Sequence, residues 1–260
     1  MEKSNIIIND YFSFYLDCIK NEKYFKYLKL NHTFWQFCNN DHEVVDMYKK
    51  WPNCIETIND IFYILHNELY IKPNVFLGIG MKGHENLSVL EYNKFSNRIK
   101  KHIKQNYFHS ALSFKKAFIR KKDFVFFDCL NKYKIVVIGL SHLYNLKKIY
   151  NINNFDHICI SIDEMKNKIK LLEKIKNKYS DKTVFLFQCG EILSFWLIYN
   201  LKDLEKCFCI DMGRSLDLRI LKLLDLSDKK ILNNILGYNN HKIAEYQPWK
   251  YRINWSSKLI

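Results

Sequence analysis

The stretch Lys182-Thr-Val-Phe-Leu-Phe-Gln-Cys-Gly190-Glu-Ile-Leu193 decides the fold. Thr183 to Gln188, with its uninterrupted apolar run Val184 to Phe187, predicts a strand. Gly190 ends it, and Glu191 to Asn200 continues as an apolar helix. A second compact strand, Cys207 to Asp211, follows. Working outward, Lys134-Ile-Val-Val-Ile138 stops at Gly139 and leads into a short helix, Leu143 to Tyr150. His157 to Ser161 predicts a strand and Ile162 to Tyr179 a helix. Upstream, Val75-Phe-Leu77 is a short strand that runs into a glycine-containing loop. Helical stretches then cover about Leu87 to Lys104 and Ser110 to Leu130. Strands alternating with helices at this spacing predict βαβ units and a parallel sheet with helices on both faces, the Rossmann-like α/β class.

The first 70 residues read differently. Tyr11 to Leu30, Asp41 to Lys50 and Cys54 to Tyr70 carry apolar residues at three- and four-residue steps, which predicts helices. The expected organisation is a single domain, 1–260: a mostly helical N-terminal portion (1–72), a Rossmann-like core (73–220), and a C-terminal helix and tail (221–260).

Composition narrows the function classes. The 260 residues include 41 Lys+Arg against 27 Asp+Glu, a formal net charge of +14, yet only five of the basic residues are Arg. The excess is lysine beside abundant Asn, Ile, Tyr and Phe, the pattern of an AT-rich coding sequence. It reads as a solvated surface before it reads as a nucleic-acid face. With 48% hydrophobic residues the chain buries a large core, which excludes a disordered or linker-like protein. The eight cysteines include no Cys-x-x-Cys pair, and Cys207-Phe-Cys209 has strand spacing, not zinc spacing. No secretory signal and no apolar run of membrane-spanning length is read, so a reducing, cytoplasmic location is expected.

Ligands of an open parallel sheet bind beyond the carboxyl ends of its strands. Six of the seven glycines fall there: Gly78, Gly80, Gly83, Gly139, Gly190 and Gly213. In a chain that uses so little glycine, each marks a tight turn or a close approach of backbone to a ligand. Gly78-x-Gly80-x-x-Gly83 matches the dinucleotide fingerprint, but the acidic residue expected about 20 positions on is replaced by the Lys-rich run Lys100 to Lys104. His84 and Glu85 at the rim of that loop form an acid/base or metal pair, or Glu85 caps the next helix. Gly139-Leu-Ser141-His142 and Gly190-Glu191 place backbone donors at helix starts, where anions bind. Asp211-Met-Gly213-Arg214 offers a carboxylate for sugar hydroxyls and a guanidinium for phosphate. Asp163-Glu164 follows the strand His157 to Ser161, and Asp is a common N-cap.

Lys134-Ile-Val-Val-Ile-Gly139, Lys182 to Leu193 and Cys209-Ile-Asp211-Met-Gly213 together resemble the GT-D type glycosyltransferases. That family was first described as a domain of unknown function in bacterial glycan and adhesin glycosylation loci. The likeness covers roughly residues 74 to 220, best from 134 onward. The family's Arg-x-Gly-Asp-Gly-Glu loop is matched here by Gly78 to Glu85, which keeps the glycines and one acid, Glu85; Arg214 stands in place of a His in the last turn. The resemblance implies sugar transfer from a nucleoside-diphosphate sugar to a glycan or glycoprotein. Gly78, Gly80, Gly83, Gly139, Ser141, His142, Gly190, Glu191 and Gly213 would border the donor. His84, Glu85, Asp211 and Arg214 would border the reacting centre, and Glu85 would meet Mn2+ or Mg2+ if a metal serves. Two other readings stay open: a methyltransferase, with Asp163 as the ribose-binding acid, and a nucleic-acid-binding protein that uses its lysines.

Overall fold

A computed structural model describes residues 7–9, 11–38, 40–68, 74–79, 107–160, 166–217 and 220. The strands are β1 (Ile7–Asn9), β2 (Lys26–Leu30), β3 (Val75–Ile79), β4 (Tyr107–Ser110), β5 (Lys134–Gly139), β6 (Phe155–Cys159), β7 (Thr183–Gln188) and β8 (Phe208–Asp211). They form one sheet in the order β1-β4-β3-β2-β8-β7-β5-β6, and every neighbouring pair is parallel. This is the expected Rossmann-like α/β architecture.

The described helices are α1 (Phe12–Lys20), α2 (His32–Cys38), α3 (His42–Lys49), α4 (Cys54–Asn67), α5 (Ser113–Ile119), α6 (Asp123–Leu130), α7 (Leu146–Ile149), α8 (Lys168–Lys178) and α9 (Glu191–Asn200). Alternation along the strands divides the interior into two cores. Val136, Ile138, Phe185 and Phe187 join α2, α3, α4, α8 and α9 on one face. Ile135, Val137, Val184 and Leu186 join α1, α5, α6 and α7 on the other. Connections stepping one way across the sheet carry their helices on one face, and those stepping back carry them on the other. A single crossover hand requires this. Helix α9 is apolar all round, and Ile192 to Tyr199 are all buried because it lies between the sheet and α4.

The N-terminal portion carries helices as expected, but two strands also rise from it. The helix expected from Tyr11 to Leu30 stops at Lys20, Glu22 turns the chain with φ 53°, and residues 26–30 form β2. β2 lies between β3 and β8, with all five residues buried. The reason for the difference is chemical. Lys26 and Lys29 read as the polar face of a helix, whereas both ammonium groups are held inside the protein. The stretch Ser110 to Leu130 likewise divides into α5 and α6, broken where Lys121 takes φ 60°. The expected helices over Leu87 to Lys104 and beyond Leu221 lie outside the described residues.

Candidate functional site

β5 leads to β6 on one side while its neighbour β7 leads to β8 on the other, so the sheet order reverses between β5 and β7. That reversal opens a crevice beyond the strand ends, the usual ligand position in this architecture. Four of the described strand ends meet around it: β5, β7, β8 and β2.

The floor of the crevice is buried and polar. Gly139 ends β5, and a Cβ there would stand 2.8 Å from the Gln188 carbonyl oxygen, so glycine lets β5 and β7 close together. His142 lies on the 3-10 turn Ser141–Asn145. Its Nε2 is 2.9 Å from Asp217 Oδ1, an oxygen that also accepts the Gln188 side-chain amide. Asp211, at the end of β8, accepts the Gly213 N–H at 2.8 Å, and Lys29 Nζ lies 3.7 Å from the same oxygen. Glu191, the first residue of α9, accepts the Asn31 backbone N–H. Among the described residues, Asp211 Oδ2, Gln188 Oε1 and His142 Nδ1 are buried and lack a hydrogen-bond partner. Orphaned buried polar atoms are costly and rare, and three of them line one crevice.

The rim is open. Ser141, Gly190 and Arg214 are exposed. Gly190 holds φ 89° with nothing within 4 Å of a built Cβ, and no side chain caps α9. The first N–H groups of that ten-residue helix therefore open toward the rim, where an anion is favoured.

Electrostatics mark the carboxylates. Burial pushes the Glu191 carboxyl up to about 8; the Asn31 N–H and Lys29 oppose that shift and the charge of Asp211 adds to it. Burial also raises Asp211, against the opposing pull of Lys29. Two buried acids whose carboxyls are both raised by burial mark the crevice as a functional-site candidate. The Cys189 thiol is pushed up to about 12 by burial, which rules it out as a nucleophile at neutral pH.

The structure thus brings together Gly139, Ser141, His142, Gly190, Glu191, Asp211, Gly213 and Arg214. Gly78 lies inside β3, in register with Lys29 of the neighbouring β2, where a Cβ would stand 2.5 Å from the Tyr27 hydroxyl; its lack of a side chain makes room for that ring. Gly80, Gly83, His84, Glu85, Asp163 and Glu164 lie outside the described residues. Sequence reasoning missed Lys29, Asn31 and Asp217 and gave no role to the Gln188 side chain. Asn31 before α2 carried a usable signal, since Asn is a common helix N-cap and so marks a strand end just before it.

No group of three or more His, Cys, Asp or Glu placed to hold a metal occurs among the described residues. The cation beside Asp211 is the Lys29 ammonium. The described residues do not by themselves fit a resident Mn2+ or Mg2+. A second concavity of about 520 Å³ lies between α4 and α9. Its acids are already engaged: Asp60 accepts from Lys168 and Trp196, and Glu68 from Tyr199 and Lys202. No described helix is long and apolar enough to cross a membrane.

No family profile matches the chain, and no curated protein matches it. Among solved structures, the selenomethionine-substituted structure of domain of unknown function 1792 is similar, with a TM-score of 0.58 at 9% sequence identity. The likeness covers 85% of this chain and 83% of that one. At that identity what is shared is the fold.

Proposed function

We propose that this chain is a glycosyltransferase that moves a sugar from a nucleoside-diphosphate sugar to a glycan or glycoprotein acceptor. The observation that carries the reading is the crevice, with three buried polar atoms left unpartnered below a rim of exposed backbone donors and Arg214. A ligand with hydroxyls for the floor and phosphates for the rim satisfies both at once. The resemblance in β5, β7 and β8 is to a family first described as a domain of unknown function, and the fold is shared with a structure so described.

In the proposed reaction the bond between the sugar C1 and the β-phosphate oxygen breaks, and C1 bonds to the acceptor oxygen. The acceptor proton passes to a base. Asp211 is the base candidate at the crevice, and His84 and Glu85 remain the candidates from the resemblance. The departing nucleoside diphosphate keeps the bonding electrons, and its charge is met by the α9 N–H groups and Arg214. Any divalent ion would come through Glu85 with substrate oxygens.

A thermal-shift panel of UDP-, GDP- and CMP-sugars, S-adenosylmethionine and oligonucleotides, with and without manganese, tests the reading. A nucleotide sugar is expected to raise the melting temperature, because a ligand of the folded state stabilises it. Stabilisation by S-adenosylmethionine or oligonucleotide alone would move the chain to one of the other two classes.

A further inference from the structure

Lys26 and Lys29 stand three residues apart on the same central strand, and both are nearly fully buried, at 1% and 6% exposure. Their surroundings differ sharply. The Lys26 ammonium donates at 2.7 Å to the Leu204 carbonyl and at 2.7 Å to the Cys207 carbonyl. Lys29 has one ion-pair partner among the described residues, Asp211 Oδ1, at 3.7 Å. That distance is longer than a hydrogen bond, and the same oxygen already accepts from Gly213. A buried ammonium carries three donors and a large desolvation cost, so a lysine with one loose partner is incomplete as a structural element.

Gly213 bears on the same point. A Cβ built there would lie 2.1 Å from Lys29 Nζ. Any other residue at 213 would expel the ammonium from its position at the mouth of β8. Gly213 also holds φ 51°, a left-handed conformation that favours glycine, so backbone and lysine head both suit an absent side chain there. The absent side chain keeps the space for the lysine head.

We infer that Lys29 is the cation that receives the diphosphate of the donor, with Gly213 clearing its place at the crevice. The inference rests on the glycosyltransferase reading and deepens it. Lys29 lies below the rim where the uncapped start of α9 and Arg214 present further positive potential, and Glu191 links the two by accepting the Asn31 N–H. A multi-oxygen anion suits this set better than a single carboxylate does. A diphosphate spans a buried ammonium and a helix N-terminus together, as phosphate sites commonly do. Asp211 holds the lysine charge until the ligand arrives.

Calorimetric titration of the full chain with UDP, GDP, the parent nucleosides and inorganic pyrophosphate tests this. The wild type is expected to prefer diphosphate over nucleoside. Lys29→Met is expected to lose roughly 10- to 100-fold in nucleoside-diphosphate affinity, the range of a charge-assisted contact, with nucleoside affinity unchanged. Lys206→Ala, which removes an exposed lysine paired with Asp181, is expected to leave binding unchanged. Should Lys29→Met fail to fold, Lys29→Met/Asp211→Asn removes the stranded carboxylate with it. Gly213→Ala keeps the charge and displaces it, and is expected to show the same loss. A folded Lys29 variant that still prefers diphosphate as strongly as the wild type would overturn the inference and leave the glycosyltransferase reading standing. Absence of any nucleoside-diphosphate binding to the wild type would remove the reading itself. Pyrophosphate binding alone, without a nucleotide preference, would reduce the crevice to a bare anion site and overturn the assignment to a donor.

Discussion

At the scale of single residues, Glu191 and His109 set opposite limits on stability. The folded Glu191 carboxyl titrates at about 8 against an ordinary 4.5, so the native state keeps a proton that the unfolded chain releases between those values. Stability therefore falls as pH rises through that window. His109 is stacked between Tyr11 and Phe76, and burial lowers its imidazole to about 4 from 6.5. Below pH 6.5 the unfolded chain takes up a proton first, so stability falls again as pH drops toward 4. Between pH 4.5 and 6.5 the two effects oppose each other, so urea denaturation across pH 4 to 8 is expected to show a plateau there and an alkaline decline above it worth on the order of 2 kcal/mol. Glu191→Gln is expected to flatten the alkaline decline and leave the fall toward acid that His109 sets. These positions also show how far the sequence could be read. Gly139, Gly190 and Gly213 stood out because strand ends use glycine for a reason. The reasons were not visible: Gly139 admits a neighbouring strand and Gly213 a lysine head, while Gly190 alone has open space before it.

Among the elements, β7 and α9 have the bounds that the residues predict, because apolar side chains on every face leave no other arrangement. β2 was not legible. Its two lysines disguise a central strand, and only the carbonyls of Leu204 and Cys207, far along the chain, reveal why Lys26 is inside. Lys26→Met keeps the stem length and removes both ammonium contacts. It is expected to cost about 2–4 kcal/mol in urea denaturation by leaving the buried Cys207 carbonyl and the half-buried Leu204 carbonyl without this donor. A loss of under about 0.5 kcal/mol would mean that the lysine is incidental to the junction of β2 with the segment after α9. The consequence reaches the site, because β2 is the strand that delivers Lys29 and Asn31 to Asp211 and Glu191. The first glycine-bearing strand, β3, runs beside β2 with Gly78 in register with Lys29.

For the whole molecule, the large positive charge and the ligand site are separate matters. Many described lysines lie in exposed pairs such as Lys49 with Asp46, Lys176 with Asp203 and Lys206 with Asp181, which contribute little to stability. Lys26 and Lys29 are the two that shape the centre of the sheet. Among the described residues, the crevice at the strand ends has unpartnered buried atoms and the groove between α4 and α9 has none. Amide hydrogen exchange of the chain, alone and with UDP-, GDP- and CMP-sugars in turn, tests that assignment most directly. The account predicts slowed exchange with a nucleotide sugar in segments 139–142, 188–194 and 211–215, and no change in the groove residues Tyr63, Trp196 and Tyr199. Unchanged exchange with every donor, or protection confined to the groove, would contradict it.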